Sequence, residues 1–586
     1  MAQSTLPNPT LLSIYPPAAK TAATATVTIT GASLDGLLGL YFPVKGITSK
    51  PGAKANEILL TVDETVKPGF YDVRVVTRYG VSNPRGFYLT DRPLVELKSG
   101  GRLDQEQIGF GQAVKADRMT IAVNAKAGQK FSFSVHASGL DSRMEPRVSI
   151  RDSGNSIIGR FFEASPFALK SESDAVYTLD VQDMMFRGDV EHPFLLSLDG
   201  GIGLSKEIIT DEVPGSLLPK SVRVDGSYKG RFPADSTFRE FTFTAKKGEP
   251  KIIDVRSARA GELADPSFII ERLVGGKWVF IAEVADRKVL AGKEEFDDGA
   301  ADPVYRLEAT EDGEFRVRLR NNLSNQAAFE LIVRPLGGSF ELVALPADAP
   351  VAKKTATTVT HLPLWRGSTA AFKVYALRDI DYTGPVILTV DGLPPGVTAG
   401  PAIIGAGANV GWLTLTASNE AAPWAGSIKI KGNGSVIARG AVTVRATPNT
   451  AREPIYTRLT EDVVIGVSEA EGPVLVEPET AVVESKSADK VTVPFKLTRK
   501  GDFDAEVKVT ALGIGDKTPP VLAFAAKAAS GSLVLDLAKL KLGNGDHTIV
   551  FQGTAKFKHV SLLDAKAKPK EVTAVVHSKP FTLRIK

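Results

Sequence analysis

The chain has 586 residues, 43% hydrophobic and 24% charged, an ordinary globular composition with enough length for several separate cores. Its 71 basic and 67 acidic residues leave a formal charge of +4 without a block of like charge, so the balance gives no electrostatic footprint for nucleic acid or an anionic membrane. Cysteine is absent, which excludes disulfides, thiolate metal sites and a cysteine nucleophile, and no run of about 18 apolar residues is present to span a membrane.

The opening MAQSTLPNPT lacks a basic n-region and an apolar h-region. "AQ" behind an initiator Met resembles a mature N-terminus, so an exported protein is expected, periplasmic, cell-surface or extracellular, with its signal absent from this sequence. From there period-2 alternation bounded by Gly, Pro, Asn and Asp recurs along the chain, the pattern of antiparallel strands with one buried face. TATVTITG sets Val27 and Ile29 against Thr26, Thr28 and Thr30, and GFYDVRVVTRYG sets Tyr71, Val73 and Val75 against Asp72 and Arg74. QKFSFSVHA, REFTFTAKKG, GEFRVRLRNN, AAFKVYAL, VILTVDGL, SIKIKGNG and DKVTVPFKLTRKG follow in the same style. Only VLAFAAKAASGSL and HVSLLDAKAKPKE carry a helical pattern. Many short strands at regular turn spacing predict an all-β protein: tandem Ig-like and jelly-roll-like β-sandwiches with few short helices.

Resemblance sharpens the boundaries. Residues 1–91, with TITGASL and GFYDVRVVTRYGVSNPRGFYL, resemble an Ig-like IPT/TIG module; Val81-Ser82-Asn83-Pro84 before a final aromatic strand is its most specific signal. Residues 92–206 and 207–338 are two diverged copies of one plan, AKAGQKFSFSVHASGLDSRMEPRVSI aligning over AKKGEPKIIDVRSARAGELADPSFII. Both resemble the pre-peptidase C-terminal domain, a jelly-roll-like sandwich, in the form common in large exported proteins of planctomycete-type bacteria. Residues 339–450, with GLPPGVTA, resemble the Ig-like segment that follows such domains, and 451–586 hold a polar linker and a C-terminal sandwich.

Motifs for chemistry are sparse. The six histidines (His136, His192, His361, His547, His559 and His577) are scattered without metal-ligand spacing. No nucleophile elbow, Walker A loop or dinucleotide fingerprint occurs, so no enzyme and no cofactor are expected. The exception is calcium: Asp265, Asp286, Asp297, Asp298 and Asp302 fall in turn-like positions of the second copy, hard oxygen ligands from loops suit Ca²⁺, and relatives of this domain in collagenases bind it. The bland alternative is that these carboxylates cap their own turns. In the first copy Asp141, Glu145 and Asp152 are interrupted by Arg143 and Arg147, which oppose a divalent cation.

Of four tryptophans, Trp412 alternates like a core residue, whereas Trp365 and Trp424 flank turns and are candidates for sugar contact, with a structural role as the competing reading. Arg187-Gly188-Asp189 spells an adhesive tripeptide, but Arg187-Gly188 matches a turn of the resembled family and Asp is a favoured turn residue, so it reads as a turn. The expected function is a non-catalytic exported scaffold or adhesion-type structural protein. Its partners are other subunits, cell-surface or matrix components or a polysaccharide, with assembly through exposed strand edges. The alternatives are an accessory region of a secreted hydrolase and a carbohydrate-binding module array.

Overall fold

A computed structural model describes residues 9–163, 167–199, 221–233, 237–260, 262, 264–287, 301–323, 326–347, 363–445, 456–512, 519–540, 542–560, 562, 566 and 568–586. It is built almost wholly of strands, and its one α-helical turn is Leu537–Leu540 among the described residues. The alternation read from the sequence is what buries the cores. In Gly313–Asn321, Phe315, Val317 and Leu319 point inward while Arg316, Arg318 and Arg320 take the other face, because successive side chains leave a strand on opposite sides.

In the first sandwich the sheet Thr10–Tyr15, Ala23–Ala32, Glu57–Val62, Ile47–Pro51 faces the sheet Ala18–Lys20, Arg85–Thr90, Gly69–Thr77, Leu37–Tyr41. The Val81-Ser82-Asn83-Pro84 motif is a clip between them. Buried Asn83 accepts the Leu11 N–H at 2.8 Å and donates its amide to the Leu11 carbonyl at 2.8 Å. Ser82 Oγ accepts the Val75 N–H at 2.8 Å.

The second and third sandwiches share one strand order. In the second, one sheet runs Gly101–Arg102, Met119–Ala125, Ala175–Asp183, Pro146–Arg151, Ile157–Phe162. In the third it runs Ser221–Arg223, Arg239–Ala245, Gly313–Asn321, Pro266–Val274, Lys277–Val284. In both, the short first strand pairs in parallel and the hairpin to the last strand carries a register shift, so the repeat extends to backbone detail.

The fourth sandwich is one continuous sheet of eleven strands folded around a main core, with a second, smaller cluster of Val343, Leu345, Tyr375, Leu377 and Ala441 on alternate positions of its strands. It takes strands Tyr456–Thr460 and Val463–Glu471 from the segment expected to begin the fifth unit, because Val463, Ile465 and Val467 complete its core. The expected 450/451 boundary therefore moves to about residue 472; the second half of the expected linker, 456–464, belongs to these two strands and their turn, and the first half lies outside the described residues. In the fifth unit, VLAFAAKAASGSL forms strand Val521–Phe524, a turn and strand Ser530–Asp536. Phe524, Leu533 and Leu535 enter the core with strand spacing, which overrides the helix propensity of the alanines. Of HVSLLDAKAKPKE, the first residue ends strand Phe551–His559 and the last two open strand Lys570–His577, while 561, 563–565 and 567 lie outside the described residues.

Replacing Asn83 with Ala leaves the Leu11 amide and carbonyl buried and unpaired. We expect a loss of about 2 kcal/mol, read as lost hydrogen-exchange protection in Thr10–Tyr15 while the third sandwich keeps its own.

Candidate functional site: the joints on the fourth sandwich

The fourth sandwich makes side-chain contacts with each of the other four. Arg458, on strand Tyr456–Thr460, is the central one. Its Nε meets Asp141 Oδ1 of the second unit at 2.6 Å, and its Nη2 meets Asp141 Oδ2 at 2.7 Å and Asp72 Oδ1 of the first unit at 2.6 Å. Asp141 sits in the left-handed region at φ 56°, just after the 3-10 turn Ser138–Leu140, and its Oδ2 also accepts the Gly86 N–H of the first unit at 3.0 Å. A side chain at Gly86 would stand 1.9 Å from the Gly139 carbonyl, so only glycine lets the two units close. Burial alone would lower the Arg458 guanidinium, but the two carboxylates outweigh it and hold it well above its usual range. Neighbouring buried Arg74 goes the other way: desolvation takes it down to about 10.

A second joint brings together the first, fourth and fifth units. Arg78 Nε pairs with Glu469 at 2.7 Å, and its Nη1 donates to the Leu562 carbonyl at 2.6 Å. The Glu469 N–H donates to the Arg78 carbonyl at 2.9 Å, and the Leu562 N–H to the Tyr79 hydroxyl at 2.9 Å. Tyr79, Trp365 and Ala470 are buried there, with Phe557 and Leu562 packed on them and the His559 ring 5.9 Å from Tyr79. Burial lowers the His559 pKa. Further contacts complete the hub: Trp412 packs with Ala371 and Val550, Lys500 Nζ donates to the Gly367 carbonyl at 2.6 Å, and Arg334 of the third unit pairs with Asp379 at 2.9 Å and Asp381 at 3.1 Å.

The first and second units also meet directly through Ala18, Tyr88, Ile108, Phe110, Leu140 and Leu195. His136 lies in register with Leu195, is 4% exposed, and neither ring nitrogen has a hydrogen-bond partner. Desolvation lowers its pKa to about 4.

Against this geometry the residues singled out from the sequence fall as follows. Trp365, expected beside an open turn, is 6% exposed because the first and fifth units cover it. Trp424 is half-buried against the fourth core and its own Gly426. Asp302 is fully buried and accepts the backbone N–H groups of Ser257, Ala258 and Arg259 together with Arg259 Nε at 3.1 Å. Its oxygens are thus committed to capping a 3-10 turn, and Arg259 also pairs with Asp254, so a guanidinium stands where a cation was expected. The Asp265 backbone N–H donates to Asn321 Oδ1 at 2.9 Å and its carboxylate accepts Asn322 Nδ2 at 3.4 Å, Asp286 is exposed, and Asp297 and Asp298 lie outside the described residues. Among the described residues no group of three His, Asp or Glu side chains is placed to hold a metal ion.

Arg187 bonds Asp183 through Nε at 2.9 Å and Nη2 at 2.9 Å and Glu145 at 3.1 Å, while Asp189 Oδ1 meets the Glu191 N–H and His192 Nδ1, both at 2.7 Å. The Arg-Gly-Asp tripeptide is a turn locked by its own side chains. Arg458, Asp72, Arg78 and Tyr79 escaped notice because each looks like an ordinary outward residue of its strand or turn; only the packing of a distant unit buries Tyr79 and part-buries the three charged side chains.

These features define a class, an all-β chain of Ig-like and jelly-roll-like sandwiches. No family model matches the sequence, and no curated protein does. Among solved structures it is similar to the fibronectin(III)-like modules of Clostridium thermocellum CbhA, at 11% identity and TM-score 0.12 over 43% of this chain and 94% of that one. It is also similar to SGBP-B of the Bacteroides ovatus mixed-linkage glucan utilization locus, solved with a mixed-linkage heptasaccharide, at 10% identity and TM-score 0.13 over 55% and 71%. No helix among the described residues is long and apolar enough to cross a membrane.

Two outcomes are expected. Arg458→Ala takes from Asp72 and Asp141 their shared guanidinium and costs about 3 kcal/mol, measurable as a lower unfolding midpoint and faster hydrogen exchange at 138–141. His136 keeps its full contribution above the unfolded histidine pKa of about 6.5 and loses it as pH falls through the folded value of about 4. Wild type should therefore lose about 3 kcal/mol relative to His136→Leu between pH 7 and pH 4, with parallel urea midpoints refuting the assignment.

Proposed function

We propose that this chain is a non-catalytic, exported scaffold that presents binding surfaces at the cell surface or in the extracellular matrix. The carrying observation is the hub: a single sandwich fastened to four others by joints that link units far apart in sequence, as Arg458 does with Asp72 and Asp141. Such joints cost desolvation and ordering, and they hold separate modules in one arrangement. A scaffold uses that arrangement directly, because loops and sheet faces keep fixed distances from one another.

The test is shape together with inertness. Solution scattering of the wild type should give one maximum dimension from low to high salt, since buried pairs are screened little. The Arg78→Ala/Arg458→Ala double variant should lengthen and broaden its distance distribution. A wild type already as extended as the variant, or turnover in a hydrolase substrate panel that survives repurification, overturns the scaffold.

A further inference from the structure

We infer that the outer sheet face of the third sandwich is a binding site for an acidic polysaccharide, with ring stacking at one end and carboxylate recognition at the other. The face is assembled by register. Arg316, Arg318 and Arg320 lie at alternate positions of strand Gly313–Asn321, spanning about 13 Å along it. Across Pro266–Val274 they stand opposite Glu271, Ile269 and Ser267, and Phe280 on the edge strand Lys277–Val284 stands opposite Glu271. One face thus carries Phe280, Trp278, Arg316, Arg318, Phe238 and Arg320.

The two ends differ. At the first, Arg316 is held by Glu271 at 2.6 Å and Glu240 at 3.1 Å and lies 4.5 Å from the Trp278 ring, so its charge is spent on orienting that indole. Phe280 beside it is 61% exposed, an aromatic ring left open to solvent. At the other end Arg318 and Arg320 both lie over the Phe238 ring, at 4.5 and 4.9 Å. Among the described residues neither has a close carboxylate: Arg318 reaches Glu240 only at 3.9 Å and its buried Nε has no hydrogen-bond partner, and Arg320 Nε donates to Ser267 Oγ at 3.3 Å. Glu283 faces the same side two strands away, roughly 10 Å off by sheet spacing. Two like charges side by side on one ring are unfavourable until an anion joins them, and a guanidinium pair offers the fork geometry that a carboxylate accepts.

The second sandwich is an internal control. Its equivalent strand, Ala175–Asp183, places Thr178, Asp180 and Gln182 where the third has Arg316, Arg318 and Arg320. There Asp180 is satisfied by Arg151 at 2.7 Å. The arginine row is therefore no requirement of the fold. The ligand class follows from the pattern on the sheet: an exposed ring on the edge strand and a pair of cations two strands in, with Glu271 and Ile269 between them, match a polymer of sugar rings bearing carboxylates that crosses the strands obliquely.

The site goes beyond the scaffold reading and does not depend on it. Polygalacturonate, its carboxyl-reduced neutral counterpart and polyglutamate are titrated calorimetrically into the full chain at low salt. Saturable binding is expected for polygalacturonate alone, weakening with salt, with Arg318→Gln and Arg320→Gln each losing about tenfold and Phe280→Ala a few-fold. Should a Gln variant fail to fold, R318K and R320K retain the charge without the fork and are expected to lose part of the affinity. The Arg78→Ala/Arg458→Ala variant should bind as wild type does, which separates this site from the joints. No saturable binding, equal binding of the reduced polymer, polyglutamate binding as tightly, or full affinity in the arginine variants would each overturn the assignment.

Discussion

The arrangement of the sandwiches turns on one guanidinium held between two carboxylates. Arg458 draws Asp72 from the first unit and Asp141 from the second onto a strand of the fourth. Taking three charges out of water is costly, and the cost is recovered only if the fork of Arg458 meets both carboxylates at hydrogen-bond length. That condition makes the joint a register: a shift of about 1 Å in any unit takes the pairs out of hydrogen-bond range. Gly86 extends the same constraint into the backbone, since its missing side chain is what allows the first unit to reach Asp141.

The second joint works by a different balance. Around Tyr79 and Trp365 the gain is apolar and aromatic area, with Arg78 tying the rim to Glu469 and Leu562. Aromatic residues bury the most area per residue and keep one polar handle, which suits a seam that must be dry in the middle and bonded at its edge. Two joints of unlike chemistry on the same sandwich respond differently to solution conditions: the aromatic seam follows the hydrophobic effect, and the ionic one follows charge state.

The paired second and third sandwiches show how one plan is put to two uses. Their strand order and register shift agree, yet the second carries Thr178, Asp180 and Gln182 on the matching face and buries Leu195, Ile108 and Phe110 of its other sheet against the first unit. The third leaves a sheet face with Phe280 in solvent and arginines in a row. Core positions are fixed by packing density, so divergence collects on the faces, where substitution costs little.

The amino-acid sequence by itself determined the strands. Alternation in QKFSFSVHA or GEFRVRLRNN names the buried face without further help, because a strand's period of two depends on nothing outside the segment. The Arg-Gly-Asp turn was legible for the same reason, since its bonds to Asp183, Glu191 and His192 are local, whereas Asn83 was legible only as a family signal because its partner Leu11 is distant in sequence. Where Val463, Ile465 and Val467 would pack, that Trp365 would be covered, that Asp302 would cap a 3-10 turn beside Arg259, and which arginines would lack a carboxylate were decided only by tertiary structure. Each of those outcomes depends on groups distant in sequence arriving at hydrogen-bond or van der Waals range, and a local pattern carries no record of that distance.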